Sequence, residues 1–295
     1  MTNSYLGIIF ALLSTASWAA CTMLFKKLGE RLDPVGMTTV KAVLSAIFLL
    51  IIVLLSGHPL LIETKYIYPI AVSGILGISI GDSLFFASLG RLSPLALSLI
   101  MFVFPDFFSG LFGLIFLKEM PSLLSWVGIF AILGGLAFFI FPIEKNSDET
   151  KTKLFGVILA LLSLICTSYS MVLIKPILSV VPAVTVTMYR MFFSAVVLAL
   201  FALFSGKFSV WKNLLKEKDY NLKLSGTILL ATVGGFWLSL LAIKYCQLII
   251  ASSLMSLEPL FILLFMIIFC RYVPKKKEYF GIFFIILGII FIVLG

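Results

Sequence analysis

The chain contains an internal duplication, and this duplication constrains its fold more than any other feature. Residues of the first half recur 149 positions later, among them Gly7 and Gly156, Ser14 and Ser163, Lys26 and Lys175, and Ser45 and Ser194. Further along, the offset becomes about 155 and pairs Ala87 with Ala242. Each half holds five long apolar segments, an odd number, so the second copy must cross the membrane in the opposite orientation. We predict two inverted five-helix repeats, residues 1–145 and 150–295, around a central cavity.

The composition indicates that lipid is the solvent of most of this surface. Hydrophobic residues make up 62% of the chain and charged residues 12%, and the mean hydropathy is +1.21. Ten apolar stretches are each long enough to cross a hydrocarbon core of about 30 Å as a helix, which predicts an all-α membrane protein. The first lacks the basic leader and cleavage site of a secretory signal and is expected to be retained. The predicted spans are 4–25, 35–55, 66–89, 95–117, 122–142, 153–174, 184–205, 225–246, 250–270 and 278–294.

The net charge of +9 is distributed as a topology signal and does not indicate a nucleic-acid partner. Connections after the odd-numbered spans carry 16 Lys and Arg, whereas the other side has only Lys65, Lys118, Lys175 and Lys244. By the positive-inside rule the odd connections face the cytoplasm and both termini face out. The four cysteines and the single His58 show no metal-ligand spacing, so we expect neither a metal site nor a cofactor.

Matched prolines and clustered glycines suggest places where helices bend. Pro105 and Pro259 fall near the middle of the fourth and ninth spans, where each removes one backbone donor, so a kink is expected beside a cavity or as a purely structural feature. Gly77 and Gly81 in the third span, and Gly234 and Gly235 in the eighth, allow close helix approach. Two interpretations stay open for these glycines: plain packing, or hinges that let the third and eighth spans rock.

Five charged residues are predicted to lie inside the membrane, where a charge near a helix centre costs roughly 2.5 to 3.5 kcal/mol on insertion scales. Asp106 and Glu258 neighbour the two midspan prolines, and Asp82 follows Gly81 in a polar run. Each acid is interpreted as a substrate or coupling group, or as a structural hydrogen-bonding or ion-paired acid. Lys41 and Arg190 occupy equivalent places in the second and seventh spans; they could bind an anionic group or neutralise an acid, or extend to the surface.

Four aromatic residues could supply rings beside these charges, through stacking or cation–π contacts. Aromatic residues are also common at bilayer interfaces, so both interpretations stay open. The four are Trp18, Tyr169, Tyr189 and Trp237.

Taken together, these residues resemble the drug/metabolite transporter superfamily and, within it, the EamA-type ten-helix transporters. The resemblance covers almost the whole chain and lies in the order of several short features: the five-plus-five duplication, Lys26 and Lys175, Lys41 and Arg190, Phe86-Ala87-Ser88-Leu89, Leu241-Ala242-Ile243-Lys244-Tyr245, Leu117-Lys118-Glu119 and Leu257-Glu258-Pro259. It implies a small-molecule transporter, often an exporter of amino acids, related metabolites or toxic compounds. Two features depart from the family: Cys270-Arg271-Tyr272 lacks an acid matching Glu119, and the family places both termini in the cytoplasm.

The leading hypothesis is a secondary transporter of the inner (plasma) membrane that moves a small polar or amphipathic metabolite by alternating access, with coupling to a proton left open. Its expected partners are a small-molecule substrate and the lipid bilayer, and it is a monomer or a homodimer. No nucleotide-binding loop is present. An intramembrane enzyme is disfavoured because no span holds a histidine base. A noncatalytic receptor or assembly factor on the same fold is the alternative.

Overall fold

Helices are the only regular secondary structure among the residues that the computed structural model describes. These are residues 2–101, 147–174, 176–206, 216–245, 257–273 and 276–294, together with Leu124, Val127, Gly128, Phe130, Ala131, Gly134, Gly135, Trp211, Leu214, Leu254 and Met255. Most of the predicted fourth and fifth spans, including Pro105 and Asp106, lies outside these residues. Within them, the prediction of an all-α membrane architecture is confirmed.

Two kinds of helix make up the described chain, α-helices and π-helical segments, with one short 3₁₀ turn at Ile177–Ser179. In the first half these are α1 (Thr2–Leu28), α2 (Pro34–Leu55), α3 (Thr64–Gly74), π1 (Ile75–Asp82), α4 (Ser83–Arg91) and α5 (94–101). In the second half they are α6 (Ser147–Ile174), α7 (Ala183–Phe204), α8 (Lys218–Leu229), π2 (Leu230–Trp237), α9 (Leu238–Tyr245), α10 (Glu258–Cys270) and α11 (Lys276–Leu294).

Several helices are longer than the apolar stretches that predicted them. The α6 helix begins at Ser147 instead of 153, and the eighth span begins at Lys218 instead of 225. Polar residues extend these helices beyond the hydrocarbon core, so hydropathy alone places their ends too far inward. In the described residues, five helices are long and apolar enough to cross a membrane: Leu6–Leu28, Pro34–Leu55, Thr64–Arg91, Lys151–Ser170 and Ala183–Phe204.

The helices expose apolar side chains and bury small polar ones, as packing in lipid requires. Leu55 and Phe204 are 83% and 89% exposed, while Ser73, Ser88 and Ser194 are fully buried. Water does not drive these helices together, because lipid tails are as apolar as leucine. Close packing and hydrogen bonds between helices must therefore position the interior.

The third and eighth spans share an irregularity that hydropathy does not reveal. Each changes from α-helix to π-helix midway and then back, over Ile75–Asp82 in one and Leu230–Trp237 in the other. The two segments have equal length and stand 155 residues apart, which is the offset of the duplication. The π-helix is a rare conformation that is found mostly at functional sites, so its presence in both halves indicates that the third and eighth spans contribute to function.

The two halves are intertwined in their packing. The first helix of each half packs against the third span of the other: α1 lies on π2 and α9, and α6 lies on π1 and α4. The repeat-related helices α2 and α7 pack against each other. The interior of the described chain is thus built from contacts between the halves.

Duplicated serines make the same kind of bond in both halves. Ser14 donates to the carbonyl of Gly235 in π2 at 2.9 Å, and its mate Ser163 donates to the carbonyl of Gly81 in π1 at 2.8 Å. The next matched pair also reaches the opposite π segment: Ser45 bonds Thr232 and Ser194 bonds Ser79, both at 2.9 Å. Each π segment is therefore fastened to the opposite half at two points.

Polar contacts also join the helix ends. On the side of the first and seventh connections, Arg31 donates two hydrogen bonds to the carboxylate of Glu217, at 2.9 and 2.8 Å. Nearby, the indole N–H of Trp211 donates to Asp33. On the other side, the Tyr189 hydroxyl donates to the carbonyl of Leu60 at 2.8 Å. Both ends of the bundle are thus tied across the two halves.

Candidate functional site

A cavity of about 210 Å³ lies where the two halves meet. Among the described residues, seven helical stretches contribute to its wall: α1, α2, the third span, α5, α6, α7 and the eighth span, with α10 closing it through its first residue. The lining residues are Trp18, Thr22, Lys41, Gly77, Ile78, Asp82, Phe85, Ser98, Met101, Thr167, Thr187, Arg190, Met191, Phe236 and Glu258. Most of its surface is apolar, and four ionisable side chains of the described residues reach it.

Lys41 and Asp82 form the ion pair of this cavity, with 2.7 Å between Nζ of Lys41 and Oδ2 of Asp82. Their side chains are 9% and 19% exposed. The ammonium also lies 5.7 Å from the ring centre of Phe86, within cation–π range. Asp82 ends π1, and the next residue, Ser83, donates to Thr38 on α2 at 3.1 Å. The third span is therefore held to the second span at the level of the cavity.

Arg190 reaches the same cavity from α7, the repeat mate of α2. Its Nη2 donates to the hydroxyl of Ser170 on α6 at 3.0 Å, and the residue is 4% exposed. Room for it exists because Gly74 and Gly77 in the third span have no side chains: a Cβ on Gly74 would lie 2.5 Å from the Arg190 carbonyl oxygen, and one on Gly77 would lie 2.9 Å from Nη2. Gly74 thus lets the backbone of α7 approach the third span, and Gly77 leaves room for the guanidinium in the cavity.

Glu258 enters the cavity as the first residue of α10, with Pro259 in the first turn. Leu257 lies in a turn while Leu254 and Met255 before it are helical, so the ninth span is interrupted just ahead of the proline. A carboxylate is favourable at this end of a helix because the N-terminus is the positive end of the helix dipole. The hydroxyl of Thr22 donates to Oε1 of Glu258 at 3.2 Å. This interruption is what places an acid at midspan depth inside the cavity.

Of the four predicted aromatic residues, only Trp18 lines the cavity, where it pairs edge-on with Phe236 at 5.5 Å between ring centres. Tyr189 faces the bundle end through its hydrogen bond to Leu60. Tyr169 and Trp237 are 57% and 38% exposed and lie outside the cavity wall.

The predicted glycines divide in a similar way. Gly77 lines the cavity, while Gly81 accepts the Ser163 bond and packs against Thr167. Gly234 and Gly235 bring π2 against Ser17 and Trp18 of α1, at distances that leave no room for a Cβ. These glycines therefore allow close approach between spans, and their role as hinges stays a prediction. Pro105 and Asp106 lie outside the described residues.

Sequence reasoning missed the uncharged polar residues of the wall, namely Thr22, Ser98, Thr167 and Thr187. One signal pointed to the first of them. Thr22 follows Trp18 by four residues and so shares its helix face. Within the described residues, no group of three His, Cys, Asp or Glu side chains lies close enough together to hold a metal ion.

Comparison with known proteins agrees with this architecture. The model of the EamA-like transporter family matches the chain twice, over residues 5–141 and 154–294. The chain belongs to the EamA-like transporter family. Its two matched segments correspond to the two halves of the duplication, so this EamA-like chain is a multi-pass membrane transporter of small molecules.

The fold of this EamA-like protein also occurs among solved structures. One crystal structure aligns with 100% of this chain and 98% of its own length, with a TM-score of 0.62 and 16% sequence identity. At that identity the likeness concerns the fold alone. A search of curated proteins returned no match.

Proposed function

We propose that this EamA-like protein is a secondary transporter that exports a small zwitterionic or amphipathic metabolite, an amino acid or a related compound, across the inner membrane. The observation that carries the proposal is the cavity between the halves, to which each repeat contributes one cation and whose wall also holds two acids. We take residues 1–145 and 150–295 as the two five-helix repeats of this transporter.

The size of the cavity supports a small substrate. The cavity has a volume of about 210 Å³. That is room for a compact metabolite, and it is below the usual range of drug-sized pockets, about 300 to 1,000 Å³. Phe85, Met101 and Phe236 supply apolar contacts for a small hydrocarbon group.

The charges suggest how such a substrate is oriented. Lys41 and Asp82 neutralise each other at 2.7 Å, so they act on a ligand as one dipole. Arg190 offers a planar, permanently charged group suited to a carboxylate, and Glu258 offers a carboxylate suited to an ammonium. We place the acid end of the substrate toward Arg190 and its amine toward Glu258.

Glu258 is also our choice for a coupling residue. A buried carboxyl group can exchange a proton and a substrate ammonium at one position, because only one positive charge is accommodated beside it. Export of substrate would then be linked to inward movement of a proton. Thr22 keeps the carboxyl oriented in both protonation states by donating to it or accepting from it.

The test is counterflow in proteoliposomes loaded with a mixture of amino acids and polyamines, with an imposed pH gradient and mass-spectrometric readout. Wild type is expected to move one class of compound faster than protein-free vesicles, and to move it faster under the gradient. Glu258→Gln should keep folding but lose the response to the gradient.

The matched control is Glu63→Gln, which makes the same chemical change on an exposed acid that pairs with Lys65 outside the cavity. It should retain both flux and gradient response. Absence of flux for every compound in the mixture, or a Glu258→Gln variant as responsive as wild type, would contradict the proposal.

A further inference from the structure

The two π segments end in residues of different chemical type, an acid in one and an aromatic residue in the other. Their matched registers place Asp82, the last residue of π1, at the position that Trp237 occupies in π2. Each half also holds a matched cation, since Lys41 of α2 corresponds to Arg190 of α7 at the 149-residue offset. The pair Lys41 and Asp82 of the first half therefore corresponds to the pair Arg190 and Trp237 of the second half.

Only the first of these pairs is in contact. Lys41 and Asp82 lie 2.7 Å apart, and α2 packs against α4 directly after Asp82. Trp237 lies outside the cavity wall and is 38% exposed. Among the ring and cation–π contacts of the described residues, none involves Trp237. Arg190 instead donates to Ser170.

In an inverted repeat, a difference between the halves is related to the two states of the transport cycle. The two halves of such a transporter have the same fold but differ in conformation, and the opposite-facing state arises when one repeat or bundle moves against the other around the fixed site. A contact that one half makes and the other lacks is therefore a contact that changes between the states. The serine bonds to the π segments differ in this respect, because both halves make them at once.

We propose that the transport cycle exchanges two contacts: in the opposite-facing state the Lys41–Asp82 ion pair opens and the Arg190 guanidinium closes onto the ring of Trp237. The inference rests on the transport function proposed above. Asp82 and Trp237 are then positioning residues that set the balance between the two states, and neither needs to touch the substrate.

The residue types fit this exchange. A lysine ammonium is a compact charge that suits a carboxylate, whereas a planar guanidinium stacks on an indole face. Had both halves kept an acid at this place, the two states would be held by like contacts. With Asp82 in one half and Trp237 in the other, the first state is held by an ion pair and the second by a cation–π contact.

Spin-label distances test the proposal without a substrate. One pair of labels, at Val43→Cys and Gly90→Cys, reports the separation of α2 from α4; the repeat-matched pair, at Phe192→Cys and Tyr245→Cys, reports that of α7 from α9. Val43 and Phe192 are exposed, and a Cβ on Gly90 meets nothing within 4 Å. Each pair is introduced into protein lacking its native cysteines and measured in lipid nanodiscs by pulsed electron spin resonance.

Asp82→Asn is expected to shift the population toward longer 43–90 and shorter 192–245 distances. Trp237→Leu is expected to do the reverse and sharpen the distribution around the present structure. Asp82→Glu and Trp237→Phe keep the charge and the ring and should lie between wild type and the first two variants.

Three results would overturn the exchange: both variants moving the distances in the same direction, neither variant moving them, or one label pair moving without its mate. The outcome is separable from that of the flux assay. Opposed shifts with no flux would contradict the proposed function alone, and flux without opposed shifts would contradict the exchange alone.

Discussion

Gly77 is the residue whose replacement should disturb the cavity most directly. An added Cβ would overlap the Ser170 hydroxyl and lie 2.9 Å from Nη2 of Arg190, so alanine must displace the bond between them. Overpacking of a tight interior costs about 1 to 3 kcal/mol. We expect Gly77→Ala to lower the thermal unfolding midpoint in detergent and to abolish flux.

Gly226→Ala on α8 is the matched control, because a Cβ there meets nothing within 4 Å. Alanine in a helix is about 1 kcal/mol better than glycine, so this variant should unfold at an equal or higher temperature. Equal unfolding midpoints for Gly77→Ala and wild type would show that the third span can move enough to accommodate a Cβ at this position.

The Arg31–Glu217 pair gives a pH dependence outside the membrane. The two hydrogen bonds from Arg31 hold the pKa of the Glu217 carboxyl below its ordinary value of 4.5. A lowered folded-state pKa means that the pair stabilises the fold above the unfolded value and loses that effect as the pH falls through the lowered one. Glu217→Gln should therefore lower the unfolding midpoint at neutral pH, and the difference from wild type should shrink in acid.

Both side chains of this pair are about half exposed, so the effect is small and salt should weaken it. Glu63→Gln on the opposite side serves as a control for general loss of negative charge. A difference that persists in strong acid or in high salt would mean that Glu217 acts through packing instead of charge.

At the level of the helix, the duplicated serines explain how a π segment is tolerated in the membrane. A π segment disturbs the regular ladder of backbone hydrogen bonds, and hydrocarbon offers no water to answer a freed carbonyl. The matched residues Ser14 and Ser163 each donate a hydroxyl to a glycine carbonyl in the opposite π segment, Gly235 and Gly81. The sequence repeat that revealed the duplication is thus also the repeat that carries these bonds.

The two serines are not equally important, which gives a prediction. The Gly235 carbonyl also accepts a bond from Ser239 at 2.7 Å, so it keeps a donor when Ser14 is lost. Ser163→Ala should therefore destabilise the fold more than Ser14→Ala does. We expect Ser163→Ala to cost about 1 kcal/mol, since hydrogen bonds between helices in membranes average about 0.6 and reach about 1.7 kcal/mol. Thermal unfolding of both variants measures the difference.

Ser225→Ala is the control for the loss of a serine hydroxyl, because its bond to Asn221 is exposed on α8. It should be indistinguishable from wild type. A larger loss for Ser14→Ala than for Ser163→Ala would contradict the role given to Ser239.

The helices themselves could be predicted from sequence, because long apolar runs bounded by charged connections determine them almost alone. The side-chain directions could not. Hydropathy does not reveal π1 or π2. A π segment rotates all side chains that follow it around the helix axis, relative to the directions that a regular helix of 3.6 residues per turn would give. Trp237, at the end of π2, was expected beside the charges and lies outside the cavity wall. Charge was a better guide: Lys41, Asp82, Arg190 and Glu258 all reach the cavity.

On the scale of the whole molecule, the cavity belongs to neither half. The first helix of each half packs on the third span of the other, and the acids and cations of the wall come from both. A half expressed alone would expose the polar face that its partner covers, with buried serines such as Ser73 and Ser194 turned to lipid. Their hydroxyls would lose their partners in hydrocarbon, where an unsatisfied polar group is costly.

We therefore expect residues 1–145 and 150–295 to be unstable when expressed separately and to assemble when expressed together. A break before residue 150 is suitable because it removes only the first three residues of α6 (Ser147–Ile174), none of which lines the cavity. Copurification of one half through a tag on the other, followed by the flux assay, measures assembly.

The double variant Ser163→Ala with Ser194→Ala should clearly reduce copurification of the split halves but lower the unfolding temperature of the intact chain only slightly. In the intact chain the covalent connection keeps each half at a high effective concentration for the other. Halves that accumulate stably alone, with melting temperatures like that of the whole, would show that each repeat has an interior of its own and that the crossed packing of α1 and α6 is dispensable.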